Sequence, residues 1–114
     1  MTQINATIIP DAEAFLLENM PDMEVDRHCA ITRSMYGTKA GAATYFDEEE
    51  NAYKNVTLTE HVVALQKMAE LIDAKKLYVG CLDSASELAD MANWDVEVVD
   101  AFFQLAYHGE VIYG

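Results

Sequence analysis

Residues 95–108 read Asp-Val-Glu-Val-Val-Asp-Ala-Phe-Phe-Gln-Leu-Ala-Tyr-His, and no other stretch restricts the fold as much. At helical pitch Glu97, Asp100, Gln104 and His108 follow one another at spacings of three, four and four residues, so they share one narrow stripe. The rest of the circumference is apolar: Val98, Val99, Ala101, Phe102, Phe103, Leu105 and Ala106, with Val96 and Tyr107 at the borders. A helix apolar on most sides belongs inside a core. The remaining chain must therefore supply the elements that cover it. Phe102 and Phe103 are sequence neighbours and point about 100° apart on a helix, so they fill different pockets. If Phe102 enters the core with Leu105, then Phe103, with Val99 and Tyr107 near it, is left for the N-terminal region or for a second subunit. Full coverage within the chain is one reading; a homodimer is the other and the one expected here, since two-fold dimers are the commonest oligomers. Trp94, Val99, Phe103 and Tyr107 are its interface candidates. Trp94 has two readings, a plug over the core at the turn or an exposed anchor of the kind enriched in binding hot spots.

With 114 residues the chain is long enough for one domain with its own core. Its apolar fraction of 52% and charged fraction of 24% are those of a globular protein, but its net charge of −13 is extreme. Such a field repels nucleic acid phosphates and anionic membranes and favours basic partners. It also serves solubility. Cys29 and Cys81 are the only cysteines, and neither stands in a zinc-type spacing. They read as reduced, buried thiols of a cytoplasmic protein. The N-terminal residues carry no basic region and no long apolar run, so no targeting signal is expected. No stretch has membrane-spanning length.

In chain order, residues 6–9 suggest a short strand stopped by Pro10. A helix is expected from Asp11, as cap, to about Asn19, burying Ala12, Phe15, Leu16 and Met20 and ending at Pro21. The spacing of Val25, Cys29, Thr32 and Tyr36 predicts a second helix over 22–36, capped by Asp22 and closed by Gly37. A strand over 28–35 competes with it, because Ile31 and Thr32 are β-branched. Thr44-Tyr45-Phe46 and residues 52–56 flank the acidic turn 47–51 and predict a hairpin. That turn lacks the ligand alternation, central Gly and closing Glu of a calcium loop. Thr57-Leu58-Thr59-Glu60 is a capping box opening a helix to about Lys76, with Leu58, Val62, Leu65, Met68, Ala69 and Ile72 inward. Leu77-Tyr78-Val79 predicts a strand, closed by Gly80. Ser84-Ala85-Ser86-Glu87 is a second capping box, opening a helix to about Ala92 with Leu88, Ala89 and Met91 inward. Asp95 is placed to cap the organising helix, Gly109 to end it, and residues 110–113 to form a strand pairing with 77–79. Met20, Met23, Met35, Met68 and Met91 read as core filler or an adaptable binding surface.

The order helix, strand, short helix, turn at Asn93-Trp94, longer helix and strand in residues 57–114 resembles the winged-helix form of the helix-turn-helix. The residues that carry the likeness are 84–92, Val98, Val99, Phe102, Leu105 and 109–112. The resemblance implies a helix-rich α+β domain, 1–114. In it a winged-helix-like C-terminal half, 57–114, packs on N-terminal helices and a β-hairpin, 1–56. No wing hairpin is expected after the last strand, and no Lys or Arg occurs from Leu77 to Gly114. The family's recognition helix needs cations for phosphates and base edges, and here it carries Glu97 and Asp100. The resemblance thus implies an architecture without direct nucleic acid binding.

Motifs that carry chemistry are absent from the sequence. His28, His61 and His108 stand apart from one another and read as structural or surface histidines. His28 and Cys29 are adjacent, but a catalytic pair meets through space and not along the chain. There is no Gly-rich phosphate loop and no nucleophile elbow. The expectation is therefore a non-enzymatic, acidic protein-interaction module with a basic protein partner, no cofactor, no metal and no membrane contact. The alternative is an inhibitor that imitates DNA with an array of carboxylates. A small enzyme with a site assembled from distant residues is the least favoured reading.

Overall fold

The computed structural model describes residues 9–23, 27–34 and 40–111, and among these three α-helices accompany a four-stranded antiparallel sheet. The order is α1 (Ala12–Asn19), a 3-10 turn (Met20–Asp22), β1 (Arg27–His28), β2 (Ile31–Arg33), β3 (Ala43–Asp47), β4 (Ala52–Val56) and α2 (Leu58–Asp73). Two 3-10 turns (Ala85–Ala89 and Met91–Asn93) and α3 (Val96–His108) follow. The sheet order is β1-β2-β3-β4. The helix-rich α+β class expected from the sequence is the one adopted.

Helix α3 is buried as its composition requires. Val98, Val99, Ala101, Phe102, Phe103, Gln104, Leu105 and Ala106 are all inaccessible. The Asp95 side chain accepts from the Val98 N–H at 3.0 Å, and Gly109 ends the helix at φ 81°. Helix α2 starts at the predicted capping box, with both of its reciprocal bonds formed. Its buried face is His61, Ala64, Leu65, Met68, Ala69 and Ile72, one stripe at helical spacing. Leu58 and Val62, expected inward, lie half-buried at its margin. The helix ends at Asp73 rather than Lys76. Lys75 turns left-handed at φ 60°, and the Lys76 and Leu77 amides both fall on the Leu71 carbonyl.

The two phenylalanines divide as predicted. Phe102 meets Trp94 edge-on at 5.6 Å and lies 5.7 Å from the His61 ring. Phe103 points to the sheet and meets Tyr45 edge-on at 5.2 Å. In the sheet, Arg33 stands opposite Tyr45 and Ile31 opposite Asp47. Ile31, Arg33, Ala43 and Tyr45 turn to the core, whereas Phe46 and Tyr53 pair on the other face at 4.8 Å between rings. The hairpin of β3 and β4 forms around the acidic turn as expected. Gln66 of α2 holds Ile9 by both of its backbone groups, at 2.9 Å each, which ties the segment before α1 into the core.

Several expectations are corrected. Asp11 precedes α1 at φ 54° and makes no side-chain cap. The helix predicted over 22–36 is not formed where residues are described. Asp22 sits in the 3-10 turn, and β1 and β2 follow, joined by a tight turn with Cys29 at φ 55°. Pairing with β3 overrides the helical spacing, and the competing strand reading over 28–35 holds for Ile31–Arg33, with the turn at 29–30 breaking it. Val25, Met35, Tyr36 and Gly37 lie outside the described residues, as does most of the strand suggested at 6–9. Leu77-Tyr78-Val79 forms no strand, and neither do residues 110 and 111. The rest of the expected partner strand, 112–113, lies outside the described residues. The described residues therefore lack the strand pair that the winged-helix likeness implied. The second capping box forms, but it opens a 3-10 turn and not an α-helix to Ala92. Asp90 caps the next turn through the Ala92 N–H, and Asn93 donates to the Glu87 carbonyl, so side chains compete with the helical ladder. Ala89, expected inward, is exposed.

Candidate functional site

The polar stripe of α3 and the residues before the 3-10 turns together make a cleft. Residues 77–80 cross α3 as a strap. The Gly80 N–H donates to Glu97 Oε1 at 3.0 Å. Gly80 has φ 56°, and a Cβ there would stand 2.9 Å from Asp95 Oδ2, so glycine favours this close approach of the strap to the start of α3. Between strap and helix is a concavity of about 150 Å³, lined by Leu77, Tyr78, Val79, Glu97, Asp100, Ala101, Gln104 and Val111. Three of the four stripe residues singled out in the sequence therefore meet here. The fourth, His108, lies beyond the cleft.

The carboxylates of the cleft are held in place. Asp100 Oδ1 lies 2.6 Å from His28 Nδ1, and Asp100 Oδ2 accepts from Gln104 Nε2 at 2.9 Å. Glu97 is fixed by Gly80. Apolar wall is supplied by Leu77, Val79, Ala101 and Val111. Tyr78 is 77% exposed and Val96, just before Glu97, is 64% exposed, so large apolar groups stand in solvent beside fixed negative charge. Cations compensate little of this. Lys54 donates to the Tyr107 carbonyl, Lys67 to that of Gly109 and Lys75 to that of Asp83. The first two offset the dipole at the C-terminus of α3. Arg27 pairs with Glu48 across the sheet.

A second polar group lies in the sealed core and behaves differently. Tyr45 and His61 are fully buried and Arg33 almost so. His61 Nδ1 faces two carbonyl oxygens, of Gly41 at 2.9 Å and Thr57 at 3.1 Å, so it carries the proton. Nε2 is then an acceptor, and the Tyr45 hydroxyl donates to it at 3.0 Å. Burial lowers the His61 pKa to about 4 and raises that of Tyr45 to about 12, against the opposing pull of the Arg33 guanidinium on the phenol. Both are neutral near pH 7. Arg33 also reaches the Met23 carbonyl at 3.4 Å and lies over the Phe103 ring at 5.4 Å. The chain Arg33, Tyr45, His61 pins β2, β3 and α2 together behind α3. No spacing along the chain joins these three residues, because their meeting depends on strand register.

Three of the four interface candidates, Trp94, Val99 and Phe103, are buried within the chain, and Tyr107 is half-buried. Phe103 is fully inaccessible, Val99 nearly so, and Trp94 plugs the core with its indole N–H donated to the Leu88 carbonyl at 2.9 Å. Tyr107 is half-buried, its hydroxyl donating to Asp47 Oδ2 at 3.1 Å and its ring under Lys54. The apolar circumference of α3 is covered by the chain's own sheet, by α2 and by Trp94, so the dimer seam expected on this helix is already filled. Cys29 and Cys81, expected buried, are exposed free thiols in loops. Among the described residues no three His, Cys, Asp or Glu side chains gather as a metal would require, and no helix is long and apolar enough to cross a membrane. Set against protein-family models, curated proteins and solved structures, the chain matches none of them.

Proposed function

We propose that this chain is a non-enzymatic, acidic protein-interaction module that docks a basic partner protein over the cleft beside α3. The observation that carries the reading is the coincidence, in one concavity, of fixed carboxylates with an apolar wall and the exposed Tyr78. Apolar contact excludes water, and the carboxylates select charge and hasten encounter. The chain's charge of −13 supports the choice of a basic partner and argues against nucleic acid and anionic membranes. The reading needs no cofactor and no metal, and it places the protein in the cytoplasm with Cys29 and Cys81 as thiols. Imitation of DNA is less well supported, because it needs carboxylates arrayed on one face. Here exposed ones occur on α1 (Glu13, Glu18), the hairpin turn (Glu48, Glu49, Glu50), α2 (Glu70, Asp73) and the loops (Asp83, Asp90) alike.

Calorimetric titration with a lysine-rich decapeptide that also carries leucines tests the proposal. Saturable binding that weakens with salt is expected, with no binding of the same peptide made with glutamates. Absence of binding to the lysine peptide at low salt would remove the reading.

A further inference from the structure

We infer that the cleft is a receptor for a single lysine side chain of the partner, an unbranched alkyl chain ending in a primary ammonium. The inference rests on the docking reading above and deepens it. Size comes first. The concavity of about 150 Å³ is well below that of drug-sized or cofactor pockets, which run from roughly 300 Å³ upward. An apolar cavity of roughly this volume holds a benzene-sized molecule. That is the scale of one side chain, and a butylammonium group fits it.

Lining chemistry then selects among side chains. Leu77, Val79, Ala101 and Val111 offer contact to methylene groups, and Tyr78 adds an aromatic face at the mouth. A purely apolar side chain would leave Glu97 and Asp100 desolvated without gain. Among cations, arginine prefers a carboxylate that presents both oxygens to its planar fork. Neither carboxylate here does so freely. Asp100 has one oxygen against His28 and the other against Gln104, and Glu97 already serves the Gly80 amide. An ammonium differs, because it donates from one point in three directions and can take single oxygens from separate groups. The residual lone pairs of Glu97 and Asp100, one helical turn apart on α3, suit that geometry.

The test uses the full, isotope-labelled chain and three small probes: lysine, arginine and norleucine, each N-acetylated and C-methylamidated. Nuclear magnetic resonance titration with the lysine probe is expected to give saturable shifts at the amides of Val79, Gly80, Ala101 and Val111. The arginine probe binds more weakly, and the norleucine probe leaves those amides unmoved. Glu97→Gln keeps an acceptor for the Gly80 amide but removes the charge, and it weakens lysine binding by on the order of tenfold. Glu70→Gln, on the exposed side of α2, changes nothing. Tighter binding of arginine, indifference to Glu97→Gln, or unsaturated shifts scattered over the acidic surface would each overturn the lysine receptor. If the decapeptide of the preceding test binds and moves the cleft amides while the lysine probe leaves them unmoved, docking stands and the receptor falls. If neither probe nor decapeptide binds, both fall.

Discussion

His61 shows how one residue links burial to the pH range in which the protein is stable. Its neutral form is locked by two carbonyls on Nδ1 and by the Tyr45 hydroxyl on Nε2, and burial holds its pKa near 4. In the unfolded chain the imidazole titrates at about 6.5. Between these values the unfolded state binds the extra proton, so the contribution of His61 is complete above pH 6.5 and drains away as pH falls to 4. The drop is on the order of 3 kcal/mol. Urea denaturation at pH 7 and at pH 4.5 measures it, and a His61→Gln variant should show a smaller loss between the two. An equal loss in the variant would assign the acid sensitivity to carboxylates instead. Tyr45→Phe strips Nε2 of its donor in a site where both side chains are fully buried. It should cost about 1–3 kcal/mol at pH 7, the penalty of an unmet buried acceptor. Nothing in the sequence marked His61 as more than a structural histidine. Its partners come from a loop, a strand and its own helix start, and only the fold brings them together.

At the scale of elements, α3 carries the argument. Phe103→Ala should destabilise by about 3–5 kcal/mol, because the ring is enclosed by Tyr45, Arg33 and His28 and leaves a cavity that a sheet cannot collapse. Sedimentation of the parent chain should show a monomer, since the same ring is unavailable to a second subunit. Asp95→Ala removes the helix cap for about 1 kcal/mol. Gly109→Ala should cost a similar amount, about 1 kcal/mol, through its backbone alone. Its φ is 81° and no atom stands near the added methyl. Thermal denaturation of each single variant reads these values.

Elements of this kind were legible because their signals are local. Capping boxes at Thr57 and Ser84, the cap at Asp95, the stop at Gly109 and the apolar circumference of α3 each need only neighbouring residues. Misread segments depend on distant partners. The helical spacing read over 22–36 yields at Ile31–Arg33 to pairing with β3, and residues 77–79 look like a strand yet lead into Gly80, whose amide is held by Glu97. The cleft was half visible: its polar stripe could be read from residues 97–104, but the strap that gives the stripe a second wall could not. Three of the interface candidates, Trp94, Val99 and Phe103, turned out to be buried within the chain for the same reason. An apolar helix announces that it needs covering, and only the tertiary arrangement says that the chain covers it itself.

For the whole molecule, charge is the decisive quantity. A net −13 on 114 residues means that the folded state concentrates repulsion which the expanded chain relieves. One pair of like charges at about 10 Å costs roughly 0.4 kcal/mol even in water, and the exposed acids make many such pairs. Against them stand a few attractive contacts: Lys54 and Lys67 at the end of α3, worth about 0.3–1 kcal/mol each, and the exposed Arg27–Glu48 pair, worth about 0–1 kcal/mol. Repulsion is the larger sum, so screening should stabilise. Raising sodium chloride from about 0.01 M to 0.15 M shortens the screening length from roughly 30 Å to 8 Å. The urea midpoint should rise over that interval and then flatten. Urea is required because guanidinium chloride supplies salt itself, and chloride is preferred to sulfate because sulfate also strengthens apolar burial. Lys67→Ala removes a cation while leaving the core untouched. It should lower the midpoint most at low salt and least at high salt. A midpoint that falls as salt is added would mean that the pairs at the end of α3 outweigh the repulsion, and the acidic surface would then cost this fold nothing.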